Sequence, residues 1–224
     1  MIIRILHADF KYVTIKLYHY FNRINIMKNL FSAIILTLLF NSTIMAKTYS
    51  ETEEAIFAMG CFWCGASAFS DHDTNEKLPG IISVKTGYTG GDMPAPTYEN
   101  HNTHKEAVQI IYDPSIISYE KLLDIFWHNI DPFDDKSQFC DKGFAYTSAI
   151  FYKNDSQKNL ATETRNATED ILKQPIKTEL LPAKIFYQAE EYHQDYKIKN
   201  PIRYKYYTWS CGRAQRIKEI WEVI

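Results

Sequence analysis

Ala55-Ile56-Phe57-Ala58-Met59-Gly60-Cys61-Phe62-Trp63-Cys64-Gly65-Ala66-Ser67-Ala68-Phe69 decides how this chain folds and where its chemistry sits. The apolar run from Ala55 to Met59 reads as a short buried strand. Gly60 breaks it, and the small residues from Gly65 to Ala68 suit the first turns of a tightly packed helix. A strand, a glycine turn and a helix put Cys61 at a helix N-terminus. There, unpaired backbone N–H groups and the positive end of the macrodipole stabilise a thiolate, so the pattern predicts a lowered thiol pKa. Phe62 and Trp63 stand ready to wall an apolar pocket beside that sulfur. A purely structural thiol is the competing reading, but it has no need of a glycine-led strand-to-helix turn.

Outward from this stretch, Ile81 to Thr86 reads as a strand closing on Gly87-Tyr88-Thr89-Gly90-Gly91, followed by a proline-stiffened loop from Met93 to Tyr98. Ala107 to Tyr112 is a strand stopped by Asp113-Pro114. Ser118 caps a helix with apolar residues at Leu122, Leu123, Ile125 and Phe126, and residues 131–146 form a long loop. Ser148 to Tyr152 and Ile176 to Leu181 read as strands around a polar helix that starts at Asn154 or Asp155 and ends near Lys173. Glu191 to Lys199 is a short helix stopped by Asn200-Pro201, and an amphipathic helix with Ile217, Ile220 and Trp221 follows Trp209-Ser210-Cys211-Gly212-Arg213. Strands and helices alternate without a glycine-rich phosphate motif. The expectation is an α+β domain: a two-layer sandwich with a split βαβ (ferredoxin-like) core and an extended C-terminal tail.

The first 46 of the 224 residues differ in character. Met27-Lys28-Asn29, the apolar run from Leu30 to Phe40 and the segment ending at Ala46 have the order of a secretory signal peptide, with an h-region too short to span a bilayer comfortably. Residues 1–26 then form an upstream extension, residues 27–46 a signal cleaved near Ala46, and residues 47–224 one domain, periplasmic or secreted. A membrane anchor is the alternative, because Ile44 occupies a position that favours a small residue. Setting aside the five Lys/Arg and one Asp of the leader lowers the 25 basic and 27 acidic residues to 20 and 26, a net charge of −6. With no basic tract left, nucleic-acid binding is disfavoured. All four cysteines lie in the mature part, too few for a disulfide scaffold.

By itself, Cys61-x-x-Cys64 is compatible with a redox dithiol, half of a zinc site, or a nucleophile with a neighbour. Zinc needs a second closely spaced pair, and Cys140 and Cys211 are far apart in sequence. The rest of the chain is more specific. Gly60-Cys61-Phe62-Trp63 is followed by Gly87-Tyr88-Thr89-Gly90-Gly91, Pro96-Thr97-Tyr98, His104-Lys105-Glu106-Ala107-Val108, Tyr112-Asp113-Pro114 and Leu122 to Trp127. Asp131-Pro132, Gln138-Phe139-Cys140-Asp141-Lys142-Gly143, Tyr146, Glu190 to Tyr196 and Ser210-Cys211-Gly212-Arg213 come next. This ordered series resembles the peptide methionine sulfoxide reductases of the A type over nearly all of residues 54–224.

The resemblance implies reduction of the S epimer of methionine sulfoxide, free or in proteins, by a monomer with no cofactor and an external thioredoxin-like reductant. Cys61 is then the nucleophile, Phe62 and Trp63 hold the S-methyl group, and Glu106 is the acid. Tyr98 and Tyr146 hydrogen-bond the sulfoxide oxygen, and Asp141 helps to arrange the site. A sulfenic acid on Cys61 condenses with a second thiol to a disulfide. Cys211 is the expected resolving residue, Cys64 a bystander held awkwardly in the helix and Cys140 a packed loop thiol. His193 and Asp195 are read as packing or capping residues outside the catalytic set. The chain departs from many members at Ala66, where glutamate is common, and at Thr103, where glycine is common. A module that binds oxidised Met-rich segments without turnover is the alternative of a different class.

Overall fold

A computed structural model describes residues 51–71, 74–101 and 103–222. The leader read at residues 1–46 lies outside them. Strand β1 (Glu53–Ala58) leads through Gly60 into helix α1 (Phe62–Ser67). Then come β2 (Ile81–Thr89), β3 (Lys105–Tyr112), α2 (Tyr119–Trp127), the short strands β4 (Ser137–Gln138) and β5 (Asp141–Lys142), and β6 (Ala149–Tyr152). Helix α3 (Asp155–Leu172), β7 (Glu179–Pro182), β8 (Tyr187–Gln188), α4 (Tyr196–Lys199), α5 (Pro201–Ser210) and α6 (Arg213–Trp221) complete the chain. Among the described residues, no helix is long and apolar enough to cross a membrane.

The main sheet has the order β7-β6-β1-β3-β2-β8. Its pairings are antiparallel except for β6 with β7. Central β1 is buried on both faces, as its continuous apolar run requires. Ala55 and Phe57 enter the larger core with Leu122, Leu123 and Phe126 of α2, while Ile56 and Ala58 pack with Phe151 on the other face. Each fully buried side chain of this size contributes about 1.5–3 kcal/mol by leaving water. Local chemistry sets the helix ends as the sequence predicts: Ser118 Oγ accepts from the Lys121 N–H at 3.1 Å, and Asn154 Oδ1 accepts from that of Gln157 at 2.9 Å.

The same two-residue period places the site. On β3, Val108 and Ile110 join the larger core and Ala107 the smaller one. Glu106 therefore falls on the face where α1 begins, opposite Tyr88 in the β2–β3 register. Gly60 makes the turn with φ of +77°, and a Cβ there would lie 2.6 Å from Gln138 Cβ. The Gln138 side chain is itself fixed, bonding the Asp131 N–H at 2.8 Å and the Asp131 carbonyl at 2.7 Å.

One expectation is corrected here. The C-terminal segment is not extended: residues 191–221 form a 3₁₀ turn and α4, α5 and α6. Helix α1 begins where the sequence places it, with Cys61 as its N-cap, and ends at Ser67.

Candidate active site

One cavity of about 80 Å³ is lined by Cys61, Phe62, Trp63, Tyr98, Glu106, Asp141, Tyr146 and Tyr207. The fold thus gathers seven of the eight residues singled out from the sequence, drawn from the α1 turn, β3, β5 and two loops. Cys211 is outside this set, and Tyr207 of α5 joins it without any sequence motif to announce it.

Glu106 is 1% exposed and accepts the Phe62 backbone N–H at 2.9 Å. That N–H is one of the donors a helix start leaves without an internal partner. Burial drives the Glu106 carboxyl up to about 8 against the pull of this bond, and the charges of Asp141 and Cys64 add to the rise. Glu106 is therefore mostly protonated at neutral pH, as a general acid must be.

The sulfurs do not behave as the helix-terminus reading predicts. Burial pushes the Cys61 thiol well up, and the Cys64 hydrogen bond and charge, then Glu106, push the same way. Cys64 is drawn down to about 7, first by its hydrogen bond with Cys61, with the Arg213 charge and the Tyr204 hydroxyl helping against burial. Of the two thiols, Cys64 is the one drawn down and Cys61 the one pushed up. A six-residue helix supplies a weak macrodipole, and it does not offset the loss of water around Cys61.

Cys61 is the N-cap of α1 and Cys64 its third helical residue. The Cys61 carbonyl accepts the N–H of Cys64 at 3.0 Å and of Gly65 at 3.1 Å. Cys61 and Cys64 are both free, whereas Cys211 is bonded to Cys140 with a Cα–Cα distance of 5.0 Å. Cys140 is accordingly an exposed, disulfide-bonded residue rather than a packed thiol.

Aromatic and acidic partners hold the rest. Trp63 stacks on Tyr196 at 3.7 Å with a 5° interplanar angle and donates its indole N–H to His193 Nδ1 at 3.1 Å. The indole nitrogen only donates, so His193 accepts at Nδ1, and burial lowering its pKa keeps it neutral. His193 also packs on Phe62 at 4.9 Å, which makes it a support for both pocket walls. Glu190 accepts the Tyr88 hydroxyl and the Tyr98 N–H, each at 2.9 Å, and so fixes the Tyr98 loop. The Tyr98 and Tyr146 side chains line the same cavity, and burial raises both pKa values, leaving them as neutral donors. Tyr207 donates to Asp141 Oδ2 at 2.6 Å and lines the cavity with Cys61.

A buried nucleophilic sulfur, a neutral carboxylic acid, hydroxyl donors and an aromatic wall in one cavity define a thiol-dependent reductase acting on a small polarised group. The sequence comparisons make the class specific. The family model for peptide methionine sulfoxide reductase matches residues 53–223. A peptide methionine sulfoxide reductase MsrA of Bacillus subtilis is 48% identical over 179 residues, covering 77% of this chain and 98% of that protein. An MsrA 2 of Caulobacter vibrioides is 41% identical over 197 residues, covering 86% and 96%. Among solved structures, reduced Mxr1 of Saccharomyces cerevisiae is similar with TM-score 0.61 at 29% identity, covering 70% of this chain and 92% of that one. Methionine sulfoxide reductase A of Corynebacterium diphtheriae has TM-score 0.57 at 27% identity, covering 70% and 78%.

The chain belongs to the peptide methionine sulfoxide reductase family, A type. It is an oxidoreductase of protein repair, a peptide-methionine (S)-S-oxide reductase that uses thiols to return methionine sulfoxide to methionine.

Proposed function

We propose that Cys61 attacks the sulfoxide sulfur while Cys64 takes its proton and Glu106 protonates the oxygen. The observation that carries this reading is Cys61 sharing one cavity with the buried Glu106 carboxyl and the Tyr98 and Tyr146 hydroxyls, with Cys64 three residues on in the same helix start. Phe62 and Trp63 enclose the methyl group, and Tyr98 and Tyr146 donate to the sulfoxide oxygen. Asp141 and Tyr207 hold the Cys61 side of the cavity. The oxygen atom ends on Cys61 as a sulfenic acid and methionine leaves. Cys64 then attacks the sulfenic sulfur, a Cys61–Cys64 disulfide forms, and the oxygen departs as water. Their N-cap and third-residue placement supports this pairing, with Cys140–Cys211 as a separate bond. An external thiol, of the thioredoxin-like class that the family resemblance implies, restores the pair, and no resident cofactor enters the reading.

Rapid-quench measurement without reductant tests it. The wild type should form one methionine per chain and then stop, and Cys61→Ser should form none. A full burst from Cys61→Ser would overturn the assignment.

The finer architecture and setting belong to the same reading. The order β6-β1-β3-β2, with α1 and α2 as crossovers, supports a split βαβ ferredoxin-like core extended by β7 and β8. Lys28, the apolar run to Phe40 and Ala46 support export to the periplasm or beyond, with residues 47–224 acting as a monomeric domain on free or protein-bound methionine S-sulfoxide. The N-terminal mass of the exported protein checks the cleavage site.

A further inference from the structure

Cys61 and Cys64 stand three residues apart at the start of α1 yet line different openings. Cys61 lines the cavity with Glu106. Cys64 lines a groove of about 550 Å³ bordered by α1, α5 and α6, and the two linings share no residue. That volume lies in the range of small-molecule sites. Cys64 shares the groove lining with Tyr204 and Arg213, the two groups outside the pair that pull its thiol down. The charged residues of the groove are Lys197, Lys205 and Arg213, and among the described residues no carboxylate lines it. Arg213 donates to the carbonyls of Met59 and Asn129. Arg213 also lies over the Phe139 ring at 4.5 Å, so Lys197 and Lys205 are the cations left to meet a ligand. Trp209, 76% exposed, adds a flat apolar face.

We propose that this groove binds a low-molecular-weight thiol bearing carboxylates, which reduces the Cys61–Cys64 disulfide through an opening separate from the substrate's. The cations attract the carboxylates, and the depth of Cys64, 5% exposed, suits a slender thiol reaching in. The thiolate of a first equivalent attacks Cys64 Sγ, and the S–S bond breaks. Cys61 leaves with the electron pair and takes a proton from Glu106, which shares its cavity. The thiolate of a second equivalent attacks the outer sulfur of the mixed disulfide and releases Cys64. Two thiols are oxidised to one external disulfide, and the protons they lose replace those taken up at Cys61 and Glu106. Substrate thus remains free to enter while electrons arrive elsewhere.

The proposal rests on the Cys61–Cys64 disulfide of the preceding reading, and one set of measurements separates the two. The reductant-free burst of the wild type, mapped by mass spectrometry, must show a Cys61–Cys64 bond; if it is absent, that reading fails and the groove assignment with it. Given the bond, turnover is measured with mercaptosuccinate, an anionic thiol, and with the neutral 2-mercaptoethanol, for wild type and for Lys197→Glu, Lys205→Glu and the double variant. Comparison on the same thiol cancels intrinsic reactivity. The double variant should raise the KM for mercaptosuccinate at least tenfold relative to the change for 2-mercaptoethanol. Added salt should weaken only the anionic thiol in the wild type. Acid-quenched mixed disulfide should map to Cys64. Equal effects on both thiols, an adduct on Cys61, or an equal loss of thioredoxin-driven turnover, which would mark a protein-docking face, overturns the groove assignment.

Discussion

The Phe62 backbone N–H donates to Glu106 Oε2 at 2.9 Å, so one bond ties the start of α1 to the acid on β3. It aligns the turn that carries Cys61, the proposed nucleophile, with a buried carboxyl whose protonation is linked to stability.

Glu106→Gln keeps an oxygen to accept that N–H but has no proton to give. The methionine burst should slow by about 100-fold or more. In the wild type the burst should decline as pH rises through about 8, where Glu106 loses its proton, and the variant should lack that limb.

The same shift has a thermodynamic sign. The folded pKa of Glu106 lies above the ordinary carboxyl value, so its contribution to stability is full below that value and is lost as pH rises towards about 8. Glu106→Gln removes this penalty. Thermal unfolding should show the variant gaining on the wild type at pH 8 and much less at pH 5.

Tyr207→Phe deletes the hydroxyl that donates to Asp141 at 2.6 Å in the cavity that Cys61 lines. A hydrogen bond to a charged group contributes about 1.5–3 kcal/mol. The burst rate should fall by about tenfold or more with an unchanged far-ultraviolet circular dichroism spectrum. An unaltered burst rate would remove Tyr207 from the site.

Cys64→Ser should release about one methionine per chain and then stall with an external thiol, its Cys61 left as a sulfenic acid. Cys211→Ser should continue to cycle, because its sulfur is bonded to Cys140 and lies outside the cavity. The reverse result would give the resolving role to Cys211.

Gly60→Ala sets a Cβ 2.6 Å from Gln138 Cβ at a φ of +77°. Strain and overlap together should cost about 2 kcal/mol or more. For a domain of this size that lowers Tm by about 4–8 °C.

The local signals were legible where physics is local. Apolar runs marked β1 and β3, and Ser118 and Asn154 announced helix starts by their own side-chain chemistry. Cys61, Tyr98, Glu106, Asp141 and Tyr146 could be placed in one site through the ordered motifs, although no spacing rule joins them. The part Cys64 plays is not legible from its spacing, because a sulfur three residues after Cys61 at a helix start suits a bystander and a partner equally. Tyr207 sits in an ordinary aromatic stretch of α5, and only the docking of that helix reveals it. The Cys140–Cys211 bond spans 71 residues, a separation on which sequence periodicity is silent.

That bond has a consequence for when the enzyme is sturdiest. Closing a loop of this length removes unfolded-chain entropy equivalent to about 4 kcal/mol in the chain-entropy account. The closed segment includes Asp141 at one end and Tyr207 near the other. Oxidising surroundings, which generate methionine sulfoxide, also favour the bond that secures α5 over the cavity. The repair enzyme is thereby most firmly assembled under the conditions that create its workload.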